Sequence, residues 1–442
     1  MPISRDLPPS PAESAAGRTL ELPRNPLPLG TPLSPVKVAG SKSVCNRALL
    51  LAAMAPGRSR LLDGLEAEDT CRMRDCLRLL GIPLMEEPGD WTIQGGEPPV
   101  PSGPLPAGAS GTTLRFLLPW LALTTKEPIR FIGDRRLFER PLGGLLEALK
   151  AFGASWETFS GEGLLVPAAK PPSSLDLTVD GTESSQFLTG LALACAALPG
   201  GGRLRWQRPP ASLSYLELTA HWLSLFGCVS DLQSAGWDIP GGSLGPRELT
   251  MPGDWSGAAA FLCAGAVTGC PAQVAPLDRR DPQGDRALIE ILTAAGCEVR
   301  WLSAQEIQVA GPLKRGIRAD LTLCPDLGPV LAATAAMAPG ASTLTGLHTL
   351  SLKECDRLEA SAELVRWLGG RAEIQGDHTL VIHPGSHTGS RPPFDPRRDH
   401  RMAFAAALGG LRCGGELLDS GCVAKTLPTF WEDWNHLLGM DR

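Results

Sequence analysis

Basic and hydroxyl side chains gather where an apolar strand leads directly into an apolar helix. The first such place is Gly40 to Arg47, which reads Gly-Ser-Lys-Ser-Val-Cys-Asn-Arg and stands just before the apolar run Ala48 to Met54. We expect a strand, a tight turn and a helix with Ser41 or Ser43 as its N-cap. A helix N-terminus offers unpaired N–H groups and the positive end of the helix dipole, so this turn would favour an anion. The alternative is a capped helix with two solvated cations.

Comparable turns follow along the chain. The second, Ala109-Ser-Gly-Thr-Thr113, contains Gly111, where the backbone can approach a ligand closely. A loop with several arginines, among them Arg136, precedes the next helix. The third turn is Glu183-Ser-Ser-Gln186, and its polar groups lead an apolar helix; a simple helix cap is the alternative there.

Later turns add carboxylates to the cations. The stretch Lys353-Glu-Cys-Asp-Arg357 is rich in charge, and a surface salt-bridge cluster is the alternative interpretation. In Asp399-His-Arg-Met402 an arginine stands at a helix start, where it opposes the dipole, so a functional reason is favoured. One cleft holding all these groups would suit two anionic substrates and acid–base chemistry. The cations are Lys42, Arg47, Arg136, Lys353, Arg357, Arg401 and Lys425, and the accompanying acids are Asp326 and Glu354.

The elements that position these turns repeat about every seventy residues. A capping residue precedes an apolar helix six times, at spacings of 69 to 73 residues, and these helices are expected to be buried. Six amphipathic helices alternate with them, and each ends in an apolar residue followed by glycine. The anchors of the first series are Ser43, Thr112, Ser185, Ser256, Asp326 and Asp399, and the glycines of the second are Gly81, Gly153, Gly227, Gly296, Gly369 and Gly439.

Each unit adds strands to its two helices, such as Glu298 to Leu302 with Ile307 to Val309, so the sequence predicts an α/β fold of six units. The sixth unit lacks closing strands, and the extended segments Thr19 to Leu22 and Val36 to Val38 are available to complete it. Three units then fall in each domain, with crossings near Gly40 and near Leu249 to Gly253. We therefore expect domain II at 41–250, a discontinuous domain I at 19–40 plus 251–442, and a disordered tail at 1–18.

Composition excludes several classes of protein. The chain has 442 residues with a net charge of −6, so no bulk basic field indicates a nucleic acid or a membrane surface as partner. Its twelve cysteines include no Cys-x-x-Cys pair, and no histidine cluster has zinc spacing. We interpret them as reduced cytosolic thiols and expect no metal. No apolar run is long enough to span a membrane, and residues 1–18 lack the character of a signal peptide, so a cytoplasmic location is expected.

Seven motifs, taken in order, resemble those of the 5-enolpyruvylshikimate-3-phosphate synthase family. The resemblance implies an inside-out α/β barrel of two domains, each with three βαβαββ units. It also implies transfer of the enolpyruvyl group of phosphoenolpyruvate to the 5-hydroxyl of shikimate 3-phosphate, with release of phosphate and without a cofactor. These small anionic substrates would be the partners of a monomer. The motifs are Gly40-Ser-Lys-Ser with Asn46-Arg47, Gly111-Thr112, Arg136 with Arg140-Pro141, Ser184-Ser-Gln-Phe187, Lys353-Glu with Asp356-Arg357, Asp399-His-Arg-Met402, and Lys425-Thr with Pro428.

The same likeness assigns roles to individual residues. Asp326, Glu354 and Lys42 would be catalytic. Shikimate 3-phosphate would be held by Lys42, Ser43, Arg47, Ser184, Ser185, Gln186, Ser212, Tyr215, Asp326 and Lys353. Phosphoenolpyruvate would be held by Lys42, Gly111, Thr112, Arg136, Gln186, Arg357, His400, Arg401 and Lys425.

Three residues depart from the family pattern. Ala109 stands where asparagine is usual, Ser351 where arginine is common, and Cys45 where a hydroxyl residue is expected. The first two departures remove polar contacts near the substrates. The family resemblance further implies that glyphosate competes with phosphoenolpyruvate, and Ala109 predicts a weakened inhibition. An alanine at Gly111 would crowd the longer inhibitor more than the substrate.

Two other functions are weighed against this one. An enolpyruvyl transferase acting on UDP-N-acetylglucosamine would show a reactive cysteine in the loop around Lys126 to Arg140, and none is present there. A non-catalytic anion-binding relative would not need intact Lys42, Asp326, Glu354 and Arg401.

Overall fold

The computed structural model describes residues 19–96, 99–385 and 391–441, so the predicted tail at 1–18 lies outside the described residues. The helices are α1 Lys42–Met54, α2 Glu68–Leu79, α3 Gly111–Thr124, α4 Arg135–Glu139, α5 Gly143–Lys150, α6 Ser185–Ala197, α7 Ser214–Leu225, α8 Trp255–Thr268, α9 Leu288–Ala294, α10 Gly328–Ala336, α11 Arg357–Trp367, α12 His400–Cys413 and α13 Phe430–Leu437. Short 3₁₀ helices cover Gly284–Ala287, Pro325–Leu327, Leu350–Leu352 and Ser420–Lys425.

The strands form five four-stranded sheets and one two-stranded sheet. They are β1 Leu20–Leu22, β2 Val36–Lys37, β3 Gly57–Leu62, β4 Leu84–Glu87, β5 Asp90–Gly95, β6 Leu105–Gly108, β7 Ile129–Gly133, β8 Ser155–Phe159, β9 Glu162–Val166, β10 Leu175–Thr178, β11 Gly202–Arg205, β12 Asp231–Gln233, β13 Gly236–Ile239, β14 Glu248–Thr250, β15 Ala272–Ala275, β16 Glu298–Trp301, β17 Ile307–Ala310, β18 Arg318–Asp320, β19 Ser342–Thr345, β20 Arg371–Gln375, β21 Thr379–His383 and β22 Gly415–Leu417.

The repeated unit is most regular in the second, third and fifth sheets along the chain. In each, a first strand pairs parallel with a second, as β6 does with β7, and a closing hairpin adds two antiparallel strands. A buried helix connects the parallel strands, because a parallel pair needs a crossover. The predicted α/β fold built from βαβαββ units is thus confirmed. The predicted hairpin of the fourth unit is also present, as β16 and β17.

The six glycines that end the amphipathic helices all have left-handed backbone, with φ between 67° and 100°. This conformation disfavours other residues and stops a helix cleanly. The six glycines identified in the sequence therefore mark true helix ends in every unit. No helix of the described segments combines the length and apolar character needed to cross a membrane.

Two strands are exchanged at the crossings between the halves of the chain. β14 pairs parallel with β3, and β2 pairs parallel with β15. The two crossing segments lie side by side: Gly40 and Gly253 form an antiparallel bridge, and the Ser41 amide donates to the Pro252 carbonyl at 2.8 Å. Relative to the repeat, the first and fourth units therefore exchange their first strands: β2, which precedes α1, joins the sheet of β15, and β14, which precedes α8, joins the sheet of β3. Each half thus keeps the strand that lies just before the chain leaves it.

The sixth unit is completed by the N-terminal segment. β1 pairs antiparallel with β22, and Phe394 bridges β22 from the other side. The prediction that Thr19 to Leu22 returns to this unit is confirmed. The suggestion that Val36 to Val38 also closes it is wrong, since β2 supplies the first strand of the fourth unit. The fourth unit needs β2 because β14, the strand directly before α8, pairs with β3 instead.

Buried residues fall into two separate hydrophobic clusters. One runs from Val44 to Met251 and includes α1, α3 and α6, whereas the other joins Leu22 to Val38 with Trp255 to Leu438 and includes α8, α10 and α12. From Val44 onward every residue of α1 is buried, as expected for a helix that is apolar on all sides. The two clusters support the proposed domain boundaries, and the first residues of α1, α3, α6 and α7 line a cavity between them.

Candidate active site

Ten residues predicted for shikimate 3-phosphate line a single cavity between the two hydrophobic clusters. The cavity has a volume of about 750 Å³ when the space open to solvent is included. The starts of α1, α6 and α7 provide one wall, and the turns before α10 and α11 provide the other. The ten are Lys42, Ser43, Arg47, Ser184, Ser185, Gln186, Ser212, Tyr215, Asp326 and Lys353.

A second cavity, of about 1210 Å³ with the space open to solvent included, adjoins the first, and Arg140 lines both. The residues predicted for phosphoenolpyruvate divide between them. Lys42, Thr112 and Gln186 line the first cavity, and Arg136 and Lys425 line the second. Four others line neither of the two: Gly111, Arg357, His400 and Arg401 are buried beside them.

Helix caps bring these turns into place. The Ser184 hydroxyl accepts from the Gln186 amide at 3.3 Å, and the Asp399 carboxylate accepts from the Arg401 amide at 2.9 Å. Ser41 occupies the predicted N-cap position of α1, but its hydroxyl does not cap the helix. It donates instead to the side chain of Gln283, 2.8 Å away.

Arg47 connects two of the helix starts that line the first cavity. Its guanidinium donates to the Thr219 hydroxyl at 2.8 Å and to the carbonyls of Ser43 at 2.6 Å and Tyr215 at 3.2 Å. It also lies over the ring of Phe116, with 5.2 Å from Cζ to the ring centroid. Burial lowers the pKa of Arg47 to about 10, which leaves the group charged at neutral pH. Arg47 thus fixes the starts of α1 and α7 while presenting positive charge to the cavity.

Arg357 is the centre of a buried charge network. It donates to Asp326 at 2.9 Å, to Glu354 at 2.9 Å and to Asp399 at 2.7 Å. This geometry excludes the surface-cluster alternative for Arg357, because its side chain is only 3% exposed. All three nitrogens of Arg357 donate to carboxylates in this arrangement, and its predicted contact with phosphoenolpyruvate stays a prediction.

Each of the two candidate acid–base residues also forms an ion pair with a lysine. Lys353 Nζ lies 3.2 Å from Asp326, and Lys425 Nζ lies 3.1 Å from Glu354. Burial alone would raise the pKa of each carboxyl, but the neighbouring cations outweigh burial and hold both pKa values well below their usual range. Both groups are therefore carboxylates at neutral pH. The Tyr215 hydroxyl also donates to Asp326 at 3.1 Å.

His400 and Arg401 lie at the start of α12, behind the cavities. His400 is 1% exposed, and neither of its ring nitrogens has a hydrogen-bond partner among the described residues. Burial, reinforced by the positive charge of Arg401, lowers the pKa of His400 well below its usual range, so the ring is neutral. Arg401 is also buried.

Several contacts already join the two sides of the cleft. Lys425 Nζ donates to the Ala109 carbonyl at 3.0 Å, so the backbone of Ala109 contacts the site although its side chain carries no amide. Arg136 approaches the Lys353 carbonyl at 3.5 Å but is otherwise half exposed. Arg140 Nη1 lies 3.8 Å from Glu354.

Three residues of this site were not assigned a role from the sequence. The Asp69 carboxylate lies 3.2 Å from Lys42 Nζ, in the first turn of the amphipathic helix α2. Arg115 is buried one turn into α3, where it donates to Gln186 at 3.0 Å and to the Pro141 carbonyl at 3.0 Å. A charge inside an otherwise apolar helix was the available signal for Arg115. Arg140 was visible in the arginine-rich loop.

Comparisons with known proteins point to one family. The family model described as EPSP synthase (3-phosphoshikimate 1-carboxyvinyltransferase) matches residues 31–434. A curated protein of that name from Methanoculleus marisnigri is 35% identical over 408 residues, covering 89% of this chain and 94% of its own length. One from Syntrophobacter fumaroxidans is 35% identical over 421 residues, covering 92% of this chain and 98% of its own.

Solved structures share the fold. EPSP synthase from Acinetobacter baumannii superposes with a TM-score of 0.75 at 24% identity, covering 94% of this chain and 97% of that one. The enolpyruvyl transferase NikO from Streptomyces tendae gives a TM-score of 0.74 at 19% identity, covering 95% and 98%. At these identities the two structures establish the fold alone.

Proposed function

The chain belongs to the EPSP synthase family, and we propose that its first cavity binds shikimate 3-phosphate and that phosphoenolpyruvate binds where the two cavities meet, at Arg140. As a member of the family the protein is an enzyme of enolpyruvyl transfer in the shikimate pathway. The observation that carries the assignment of the cavities is that all ten residues predicted for the acceptor line one cavity.

The acceptor assignment rests on the chemistry of the first cavity. Ser184, Ser185 and Ser212 offer hydroxyls and helix-start amides to a phosphate, and Arg47 and Lys42 supply positive charge. Gln186 and Tyr215 can pair with ring hydroxyls. Asp326 accepts from Tyr215 at this wall and can accept a further hydrogen bond from the reacting 5-hydroxyl.

The donor assignment rests on cations from both sides of the cleft. Lys42 and Arg140 come from one side and Lys425 from the other. A carboxylate and a phosphate placed among them would be bound by charge-assisted hydrogen bonds. The same cations would stabilise the charge of the departing phosphate. We propose that Arg357 and Arg401, which line neither cavity, keep these residues in position.

Proton transfer falls to the two carboxylates. The methylene carbon of phosphoenolpyruvate must gain a proton, and the 5-hydroxyl must lose one as it attacks the neighbouring carbon. The tetrahedral adduct then loses phosphate and a proton. The cations that hold Glu354 ionised in the free protein would also contact the donor's negative groups, and those charges raise the pKa of Glu354 again. Glu354 can then carry a proton to the methylene carbon, while Asp326 receives the one from the hydroxyl.

Phosphate release tests this proposal. The purified protein, given shikimate 3-phosphate and phosphoenolpyruvate, should release inorganic phosphate with saturation in both substrates. UDP-N-acetylglucosamine in place of shikimate 3-phosphate should release none. Turnover with that acceptor would favour the alternative transferase, and binding of both substrates without turnover would favour the non-catalytic relative.

The compartment and the oligomeric state are proposed as well. All twelve cysteines are free thiols in the structure, and most are buried, which suits a reducing cytoplasm. The site draws its residues from one chain, so a monomer would suffice for activity.

A further inference from the structure

The loop Asp281 to Asp285 lies at the junction of the two halves and has no part in the roles assigned above. Its central residue, Gln283, is 5% exposed. The Gln283 side-chain carbonyl accepts from the Ser41 hydroxyl at 2.8 Å and from the Trp255 amide at 3.3 Å. The side-chain NH₂ donates to the Gly253 carbonyl at 2.9 Å and to the Asp281 carboxylate at 2.9 Å. One buried amide thus satisfies four groups.

Two of those groups belong to the crossings between the halves. Ser41 is the last residue before α1, which begins with Lys42. Gly253 is the last residue before the Asp254 cap of α8. Gln283 therefore ties the first crossing to the second through one side chain, in addition to the backbone contacts between them.

The same loop presses against the opposite half of the molecule. A Cβ built on Gly284 would lie 2.6 Å from the Ser214 hydroxyl, so backbone approaches α7 closely at this point. Ser214 is followed by Tyr215, which contacts Asp326. The loop thus touches both crossings and the start of a helix that lines the acceptor cavity.

We propose that Gln283 is a positioning residue for enolpyruvyl transfer: by fixing both crossings at once, it sets where Lys42 lies relative to Asp326. It acts through Ser41 and Gly253 and touches no substrate. The proposal rests on the proposed function, since Lys42 and Asp326 are the groups whose separation matters. A purely structural glutamine would affect folding without a selective effect on turnover.

The chemistry of the loop gives a selective test. Gln283→Glu keeps the shape but removes the NH₂ donors and sets a second carboxyl beside Asp281. Burial already raises the pKa of Asp281 to about 6. Two carboxyls at hydrogen-bond distance share one proton at low pH, which restores a bond, and repel each other once both are ionised. The variant should therefore lose activity as pH rises, and wild type should not lose it in the same way.

The experiment compares kcat/KM for phosphoenolpyruvate between pH 6 and pH 9, as a ratio of variant to wild type. We expect Gln283→Glu to fall at least about tenfold below wild type at pH 9 and to recover to within about threefold at pH 6. Gln273→Glu is the matched control, because the Gln273 side chain donates to the carboxylate of Glu306, just before β17, and has no hydrogen bond to either crossing. Its ratio should be flat. A flat ratio for Gln283→Glu, with wild type active, overturns the proposal; an inactive wild type would instead overturn the proposed function.

A milder pair keeps the proposal testable if Gln283→Glu does not fold. Ser41→Ala removes one of the four contacts, and Gln283→Met removes all of them without adding charge. We expect kcat to fall about threefold for Ser41→Ala, and we expect the double variant to be no slower than Gln283→Met alone, because both act through one link. Independent, multiplicative effects on kcat would show that Ser41 and Gln283 do not act together and would overturn the proposal.

Discussion

Arg357 forms ion pairs with three carboxylates that come from three separate stretches of the chain. Asp326, Glu354 and Asp399 all accept hydrogen bonds from it, and each is largely or fully buried. The sequence indicated the residue types and placed each of them at a helix start. It could not indicate that Arg357 would bridge these three carboxylates, because that depends on how α10, α11 and α12 pack together.

Removing Arg357 should destabilise the protein most at neutral pH. Arg357→Met leaves buried carboxylates without their cation, at a cost of about 3–5 kcal/mol in the free energy of unfolding. In wild type the folded-state pKa values of Asp326 and Glu354 lie below the unfolded ones, so their stabilisation is present above the unfolded pKa and is lost as pH falls through the folded pKa. In the variant those pKa values rise, so the deficit relative to wild type should shrink on acidification.

Urea unfolding at pH 8 and pH 4 measures this effect, because the wild-type stabilisation begins to be lost only near the unfolded pKa values. Arg366→Met is the control, since Arg366 pairs with Glu359 on the exposed face of the same helix and should cost less than about 1 kcal/mol. A deficit for Arg357→Met that is the same at both pH values would contradict the assignment of the network.

At the scale of elements, the start of α3 refines an expectation from the sequence. Gly111 was expected to leave room beside the backbone. In the structure a Cβ there would lie 2.6 Å from Arg115 Nη1 and 2.9 Å from Arg140 Nη1, so the space is taken by two guanidinium groups. The sequence could not reveal this, because Arg140 arrives from a different loop.

Gly111→Ala should therefore act by pushing Arg140 towards the cavities that it lines. We expect the KM for phosphoenolpyruvate to rise several-fold and the inhibition constant of glyphosate to rise further, because the narrowed site leaves less free space around a longer ligand. Steady-state inhibition kinetics measure both constants. Gly143→Ala is the control, because nothing lies within 4 Å of a Cβ at that helix start. Equal changes in the KM for phosphoenolpyruvate and the inhibition constant of glyphosate would contradict the steric explanation.

The regular elements were the most predictable part of the molecule. The period of about seventy residues, the stop glycines and the returning N-terminal strand all followed from sequence patterns. The exchange of β2 and β14 was not resolved, because two short extended segments give no pairing signal of their own. Asp69 and Gln283 were missed for a related reason: their roles arise from what lies opposite them in space.

At the scale of the whole molecule, cations and carboxylates from both halves meet across the cleft. Anionic substrates bound between the halves would screen the repulsion among the cations and draw the halves together. Small-angle scattering should give a smaller radius of gyration with saturating shikimate 3-phosphate than with sulfate at equal ionic strength. The forward scattering from the same samples tests the expected monomer. An unchanged radius despite measured binding would argue against closure.

We propose that Glu354, held among cations from both halves, transfers the proton to phosphoenolpyruvate. The most direct test is the turnover number of Glu354→Gln measured by phosphate release. We expect kcat to fall at least about 100-fold while the KM for phosphoenolpyruvate changes little, because the amide cannot exchange a proton. Glu359→Gln, which alters a surface residue of the same helix, should keep wild-type turnover. A kcat for Glu354→Gln within about threefold of wild type would contradict the claim.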